Sequence, residues 1–200
     1  MTEPADQPDP TRGGELAGAR IIVGVTGGIA AYKTATLVSR LAQGGAQVTV
    51  AMTEGATKFV TALTFQALSG NPVYTSQWEH IESSDPQHIA LASRAHLAVV
   101  APCTMDCLAR LASGRTDDIV TLILSAVDRS VTRVMLAPSM NSVMWQQPST
   151  QRNLRTLEGD GFDIIAPGEG WQACRQVGPG RMAEPEEILE RLRRAWRERG

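Results

Sequence analysis

The run Pro138-Ser139-Met140-Asn141-Ser142-Val143-Met144-Trp145 places a carboxamide, two thioethers and an indole directly behind an apolar stretch, Val131 to Ala137, that reads as a buried strand. A carboxamide offers two N–H donors and can hold a carboxylate. In an open parallel α/β sheet, ligands bind at the loops that leave the carboxyl ends of the strands. Such a segment also suits a helix N-terminus whose Met and Trp pack inward. Taken alone, it leaves both readings open.

Other segments offer complementary chemistry. Thr26-Gly27-Gly28-Ile29-Ala30 joins a β-branched run to a helical one. Glycines there let backbone N–H groups approach a phosphate, and the helix dipole favours the anion. The spacing is neither GxGxxG nor a Walker A loop, so the usual dinucleotide and nucleoside triphosphate readings find no support. Thr53 ends the next strand with a second hydroxyl. Ala101-Pro102-Cys103-Thr104-Met105-Asp106 ends another, near Asp117-Asp118. These loops suit the cover of a planar ring, and equally suit helix N-capping by Thr104 and Asp118. Of the three histidines, His80, His88 and His96, the last abuts a strand and is the least free. Cys174 stands beside Arg175 in a Gly-rich stretch, and a nearby cation lowers a thiol's pKa. That would suit a proton donor; an inert surface thiol is the plainer alternative.

The elements that must position these groups follow from periodicity. Residues 20–25, 46–52, 97–101, 131–137 and 162–165 read as strands, with 20–25 a buried β-branched run. Helices are expected over 29–43, from 53–54 to 68, over 104–112, 119–126 and 148–158, and from Glu184-Pro185-Glu186-Glu187 onward. The first β-turn-α-β unit implies a right-handed crossover into a parallel sheet. Residues 73–87 read as irregular. Residues 167–182 read as a mobile glycine-rich flap without regular structure. Residues 1–18 read as a disordered arm and 19–200 as one domain.

Composition narrows the function classes. The 200 residues are 42% hydrophobic and 20% charged, as expected of a soluble globular domain. A net charge of −2 without a basic run gives no footprint for nucleic acid or an anionic membrane. No stretch approaches the ~18 apolar residues of a membrane span, and the acidic start lacks a signal peptide's apolar core. Three irregularly spaced cysteines suggest a reducing cytoplasm, not a disulfide framework. No metal site is expected, because no second Cys/His pair matches Cys103 and Cys107.

Five segments taken together resemble the homo-oligomeric FMN-dependent cysteine decarboxylases, in the branch that serves coenzyme A biosynthesis. They are Gly24 to Lys33, His88 to Ala92, Ala101 to Thr104, Pro138 to Trp145, and Ala173-Cys174 with Gly178 to Met182. The resemblance runs from about Ile21 to Leu189. It implies a single-domain flavodoxin-like (Rossmann-type) doubly wound parallel sheet, assembled as homotrimers or homododecamers with FMN between subunits. It implies an FMN site at Gly27, Gly28, Ile29, Ala30, Thr53, Phe59, Pro102, Cys103, Thr104 and Asp118. It implies a substrate site at Ala137, Met140, Asn141, Met144 and Arg175.

The activity implied is decarboxylation of 4′-phosphopantothenoylcysteine to 4′-phosphopantetheine. Oxidation of the thiol to a thioaldehyde supplies an electron sink, loss of CO2 leaves an enethiolate, and reduction completes the cycle. The resemblance makes His88 the active-site histidine, Asn141 the carboxylate holder and Cys174 the donor that ends the reduction. Two positions depart from the family pattern. Arg175 follows Cys174 where the family has Gly, and Asp117-Asp118 stands where it often has Asn. The family's fused synthetase half does not appear in the sequence, so a separate phosphopantothenate–cysteine ligase is expected. The alternatives are a peptidyl-cysteine decarboxylase, a flavin prenyltransferase and a non-catalytic FMN-binding regulatory protein.

Overall fold

Alternation along the strands decides which side chains meet which layer. In the computed structural model, which describes residues 14–79, 86–173 and 175–199, β1 (Arg20–Val25) sends Ile21, Val23 and Val25 to one face and Ile22 to the other. The same split recurs in β2 (Gln47–Met52), β4 (Leu97–Cys103) and β5 (Arg133–Pro138). Both faces are therefore covered, as a parallel sheet requires.

Six strands line up in the order β3-β2-β1-β4-β5-β6, every neighbour parallel. The edge strands β3 (Val73–Tyr74) and β6 (Asp163–Ile164) have two residues each. With β3 set aside, the remaining five follow the flavodoxin-like order 2-1-3-4-5. Chain direction reverses its sideways progress between β1 and β4, and ligands bind at such a switch point.

Helices α1 (Ala31–Gln43), α2 (Glu54–Thr57), α3 (Ala62–Ser69) and α9 (Pro185–Arg197) cover one face. In α1 the buried residues Ala31, Thr34, Val38 and Leu41 recur every three or four positions, the stripe a single-faced helix needs. Gly44 and Gly45 end it, and Gly45 takes a φ of +87°. In α9, Pro185 occupies the first turn with Glu186 and Glu187, and Arg194 and Arg197 occupy the last, each charge opposing the helix dipole. Helices α4 (Gln87–Arg94), α5 (Met105–Ala112), α6 (Ile119–Ser125) and α8 (Pro148–Gly159) cover the other face.

Four expectations need correction. The helix foreseen over 53–68 is two, broken where Thr61 turns extended (ψ 151°) and Val60 packs against the core. The irregular stretch 73–87 contains β3, which adds a strand beside β2. The glycine-rich flap is a regular antiparallel hairpin, β7 (Gly168–Trp171) with β8 (Val177–Arg181). Its glycines serve close approach: at Gly180, with φ +109°, a Cβ would stand 2.4 Å from the Met140 carbonyl oxygen. Finally, the arm foreseen over 1–18 is described from Gly14, where Leu16 is fully buried and donates its N–H to the Gly44 carbonyl at 3.0 Å. Residues 1–13, His80 and Cys174 lie outside the described residues. Among the described residues no helix is long and apolar enough to cross a membrane.

Candidate active site

The loops after β1, β2, β4 and β5 open on one edge of the sheet and enclose a cavity of about 1110 Å³. Cofactor and drug-sized ligands occupy sites of roughly 300–1,000 Å³, so the space is ample.

Its floor is held by a single buried hydroxyl. Thr26 Oγ1 donates to the Pro102 carbonyl at 2.7 Å and accepts from the Thr104 N–H at 3.1 Å. This staples the loop after β1 to the loop after β4 across the switch point. Beside it, Gly27 faces Gly55 of α2 so closely that a Cβ on Gly27 would lie 3.0 Å from the Gly55 Cα. The amides of Gly27, Ile29 and Ala30 have no hydrogen-bond partner among the described residues. Unpaired N–H groups ahead of the 13-residue α1, in a cradle too tight for side chains, fit a phosphate.

The walls combine caps with an ion-pair cluster. Thr53, Thr104 and Asp118 each cap the helix that follows, accepting from the N–H groups of Ala56, Cys107 and Thr121 at 3.3, 3.3 and 2.9 Å. All three also line the cavity, so capping and ligand contact coexist. Arg110 hydrogen-bonds Asp106 at 2.7 Å and also Asp117, with Asp118 at 3.8 Å. The guanidinium holds the Asp117 carboxyl below its ordinary pKa. Deeper, Cys107 lines the cavity, and its hydrogen bond with Cys103, together with burial, raises its thiol pKa well above the ordinary value. That keeps it protonated and a poor nucleophile. Lys33 closes another side through Glu184, at 2.8 and 3.0 Å to the two carboxylate oxygens, and Glu184 also meets Arg181 at 2.6 Å. The Lys33 hydrogen bond, foremost, lowers the Glu184 pKa.

Asn141 supplies the most directed polar group. It caps α7 (Ser142–Gln146), its Oδ1 accepting the Met144 N–H at 2.8 Å. That bond fixes which end of the amide is oxygen. The Nδ2 has no partner among the described residues, and Asn141 lines the cavity. Over this loop lies the β7–β8 hairpin, where the Met140 N–H donates to the Gly180 carbonyl at 2.9 Å.

Of the residues nominated from sequence, Gly27, Gly28, Ile29, Ala30, Thr53, Thr104, Asp118, Met140, Asn141 and Met144 line the cavity. Six do not. Cys103 and Ala137 are fully buried in opposite cores, and strand pleating turns them there. Between Val100 and Cys103 the β4 register shifts, which moves Cys103 to the face opposite Ala101. Pro102 sits beneath Gly28, Phe59 is half-exposed after α2, and Arg175 is exposed near the hairpin tip. His88 is partly buried on α4 and does not border this cavity. Sequence reasoning missed Gly55, Lys33, Arg110 and Gln172, and counted Thr26 only as a hydroxyl of the turn after β1, not as the staple to the loop after β4. Gly55 just behind Thr53 was a visible signal of close approach. Thr26 and Lys33 show their roles only through partners 76 or more positions away, Arg110 and Gln172 through side-chain direction.

A flavoprotein family model matches residues 11–196, and the chain belongs to that family. The bifunctional coenzyme A biosynthesis protein CoaBC of Escherichia coli K12 is 45% identical over 175 residues, covering 88% of this chain and 42% of that one. The chain thus spans less than half the length of the curated relatives it matches. A solved PPC decarboxylase, a Cys-to-Ser variant complexed with pantothenoylaminoethenethiol, superposes with a TM-score of 0.81 at 29% identity, over 90% of this chain and 98% of that one. The FMN-binding protein AtHal3 superposes with a TM-score of 0.79 at 29% identity, over 91% and 98%.

Proposed function

We propose that this flavoprotein catalyses FMN-dependent decarboxylation of 4′-phosphopantothenoylcysteine to 4′-phosphopantetheine in coenzyme A biosynthesis, as a carbon–carbon lyase. The observation that carries the reading is the Asn141 carboxamide. Its oxygen is held by the Met144 N–H, which leaves the Nδ2 donors for a carboxylate in a cavity whose floor carries the Gly27–Ala30 amide cradle.

The amides of Gly27, Ile29 and Ala30, with the Thr53 hydroxyl, hold the FMN phosphate, and Thr104 and Asp118 stand beside it. Bound FMN supplies the reversible two-electron chemistry that gives a cysteine carboxylate an electron sink. Asn141 aims the carboxylate, and Met140 and Met144 line its surroundings. The hairpin excludes water over the site and carries Cys174 as the proton donor that ends the reduction. Arg175, next to it in the chain, attracts the substrate phosphate.

His88 is the active-site histidine and acts on a neighbouring subunit's cavity. Its separation from the cavity of its own chain supports that arrangement, as do the exposed Ile29, Tyr32, Phe59 and Leu63 just before α1, on it, after α2 and on α3. The assembly is a homotrimer or homododecamer with FMN at the subunit boundaries. The enzyme works in the cytoplasm, and its substrate comes from a phosphopantothenate–cysteine ligase.

The test is mass spectrometry of the FMN-loaded protein incubated with 4′-phosphopantothenoylcysteine. The expected product is lighter by one CO2 and fully reduced. Untouched substrate in the presence of bound FMN overturns the assignment and directs the search to peptides that end in cysteine.

A further inference from the structure

Gln172, directly after β7, is 8% exposed and has every one of its polar groups engaged. Its Oε1 accepts the Ser142 N–H at 3.2 Å. Its Nε2 donates to the Pro179 carbonyl at 2.8 Å and points to the Gly178 carbonyl at 3.4 Å. Its backbone N–H donates to the Gln176 carbonyl, and its own carbonyl accepts the Arg175 N–H, both at 2.9 Å. One residue thereby joins three things: the turn at the hairpin tip, the returning strand β8, and the first residue of α7. Asn141 directly precedes Ser142, and Cys174 is two positions beyond Gln172 in the chain.

We infer that Gln172 is a positioning residue for the reaction, a brace that sets the β7–β8 hairpin, in whose connecting segment the sequence puts Cys174, against α7 and the Asn141 loop. The inference rests on the decarboxylase reading above. A leucine would fill similar space without polar atoms to satisfy. What the amide adds is direction: an acceptor toward α7 and donors toward β8, with correct geometry only when both are in place. The hairpin does not depend on this brace alone. The Met140–Gly180 hydrogen bond and the close packing of Gly178 on Ser142 also attach it. Loss of the Gln172 amide therefore leaves the hairpin docked but turns its tip. The carboxylate still sits on Asn141 and CO2 still leaves, whereas the proton donor arrives out of line. A misplacement of about 1 Å costs on the order of a hundredfold in such a step.

The test compares FMN-loaded wild type with Gln172→Leu and Gln172→Glu. Three quantities are read: the ratio of enethiol to saturated thiol released from 4′-phosphopantothenoylcysteine, the melting midpoint, and hydrogen exchange of the Ser142 amide. The expected result for Gln172→Leu is retained flavin and a modestly lowered midpoint, since the Pro179 carbonyl and Ser142 N–H lose their partner, with the enethiol fraction up about tenfold or more. The Ser142 amide exchanges faster. Gln172→Glu shows the same defect at neutral pH, where a carboxylate faces two carbonyl oxygens. It recovers in mild acid, where the protonated carboxyl again donates to Pro179. An unchanged product ratio in both variants overturns the brace. So does a ratio that moves only in step with unfolding, because a purely structural residue behaves that way. If wild type itself fails to release CO2 or to reduce the product, the functional reading falls. The brace is then judged by Ser142 exchange alone, and equal exchange in wild type and Gln172→Leu overturns it.

Discussion

The cavity's floor and its hairpin are built from the same residue, glycine, to opposite ends. On the floor, Gly27 meets Gly55 backbone to backbone, and the absent side chains leave amide N–H groups bare for an anion. In the hairpin, Gly178 and Gly180 meet the Asn141 loop, and the absent side chains let one segment of protein lie on another. The floor is anchored by fully buried strands and the 1%-exposed Thr26 hydroxyl. The hairpin is anchored by a few hydrogen bonds and one brace. The function proposed above puts cofactor binding in the first region and substrate alignment in the second, so substitutions should separate the two.

The sharpest break is expected at Gly180→Ala. A Cβ would stand 2.4 Å from the Met140 carbonyl oxygen at a backbone φ of +109°, so the hairpin must lift. We predict a fall in kcat of about a hundredfold with flavin content unchanged, read by steady-state assay beside the flavin absorbance. Loss of flavin as well would show that the regions are not separable. Thr26→Val is the floor counterpart. It leaves the Pro102 carbonyl and the Thr104 N–H without their buried partner. A loss of about 1–3 kcal/mol in urea unfolding, together with weaker FMN retention, is expected.

A smaller effect of opposite sign is expected at Arg175→Gly. Arg175 is the non-glycine residue held at positive φ, +63°, among the described residues. The family's glycine would relieve a left-handed penalty of about 1 kcal/mol, partly offset by a freer unfolded chain. The melting midpoint should rise slightly, and a simultaneous rise in KM would assign the guanidinium to the substrate phosphate.

The smallest effect belongs to the Lys33–Glu184–Arg181 clasp, which joins floor and hairpin. The Glu184 pKa is lowered from 4.5 in the folded state, so the unfolded chain binds its proton first as pH falls. The clasp's stabilisation is therefore complete above about 4.5 and is lost as pH drops through the folded value. Glu184→Gln should be less stable than wild type at neutral pH by a few tenths of a kcal/mol, since the carboxylate is half-exposed. The difference should vanish in acid. A difference that persists there would assign the clasp's role to packing.

Much of the fold was legible because strand and helix periods are local. The strands at 20–25, 47–52 and 133–138 and the helices α1 and α9 fall where alternation, Pro and Gly placed them. The site was legible as segments: the Gly27–Ala30 turn, Thr53, Thr104 and Asn141 line one cavity because parallel strands all end on one edge. Misreadings came where one residue type has two uses. Glycines at 168–180 read as a sign of mobility, yet they permit contact with a backbone that the sequence places some forty positions earlier.

The amino-acid order by itself determined the elements, the edge at which polar loops gather and the residue types offered there. Only the tertiary structure decided which of those side chains reach the cavity. Pleating and a register shift turned Cys103 into the core, and α4 carried His88 away from its own chain's cavity. Thr26 and Gln172 gained roles by meeting partners that no local pattern announces, and Arg110, beyond its i,i+4 pair with Asp106, by reaching Asp117. Direction and distant contact depend on how whole elements pack, and periodicity records only the neighbours in sequence.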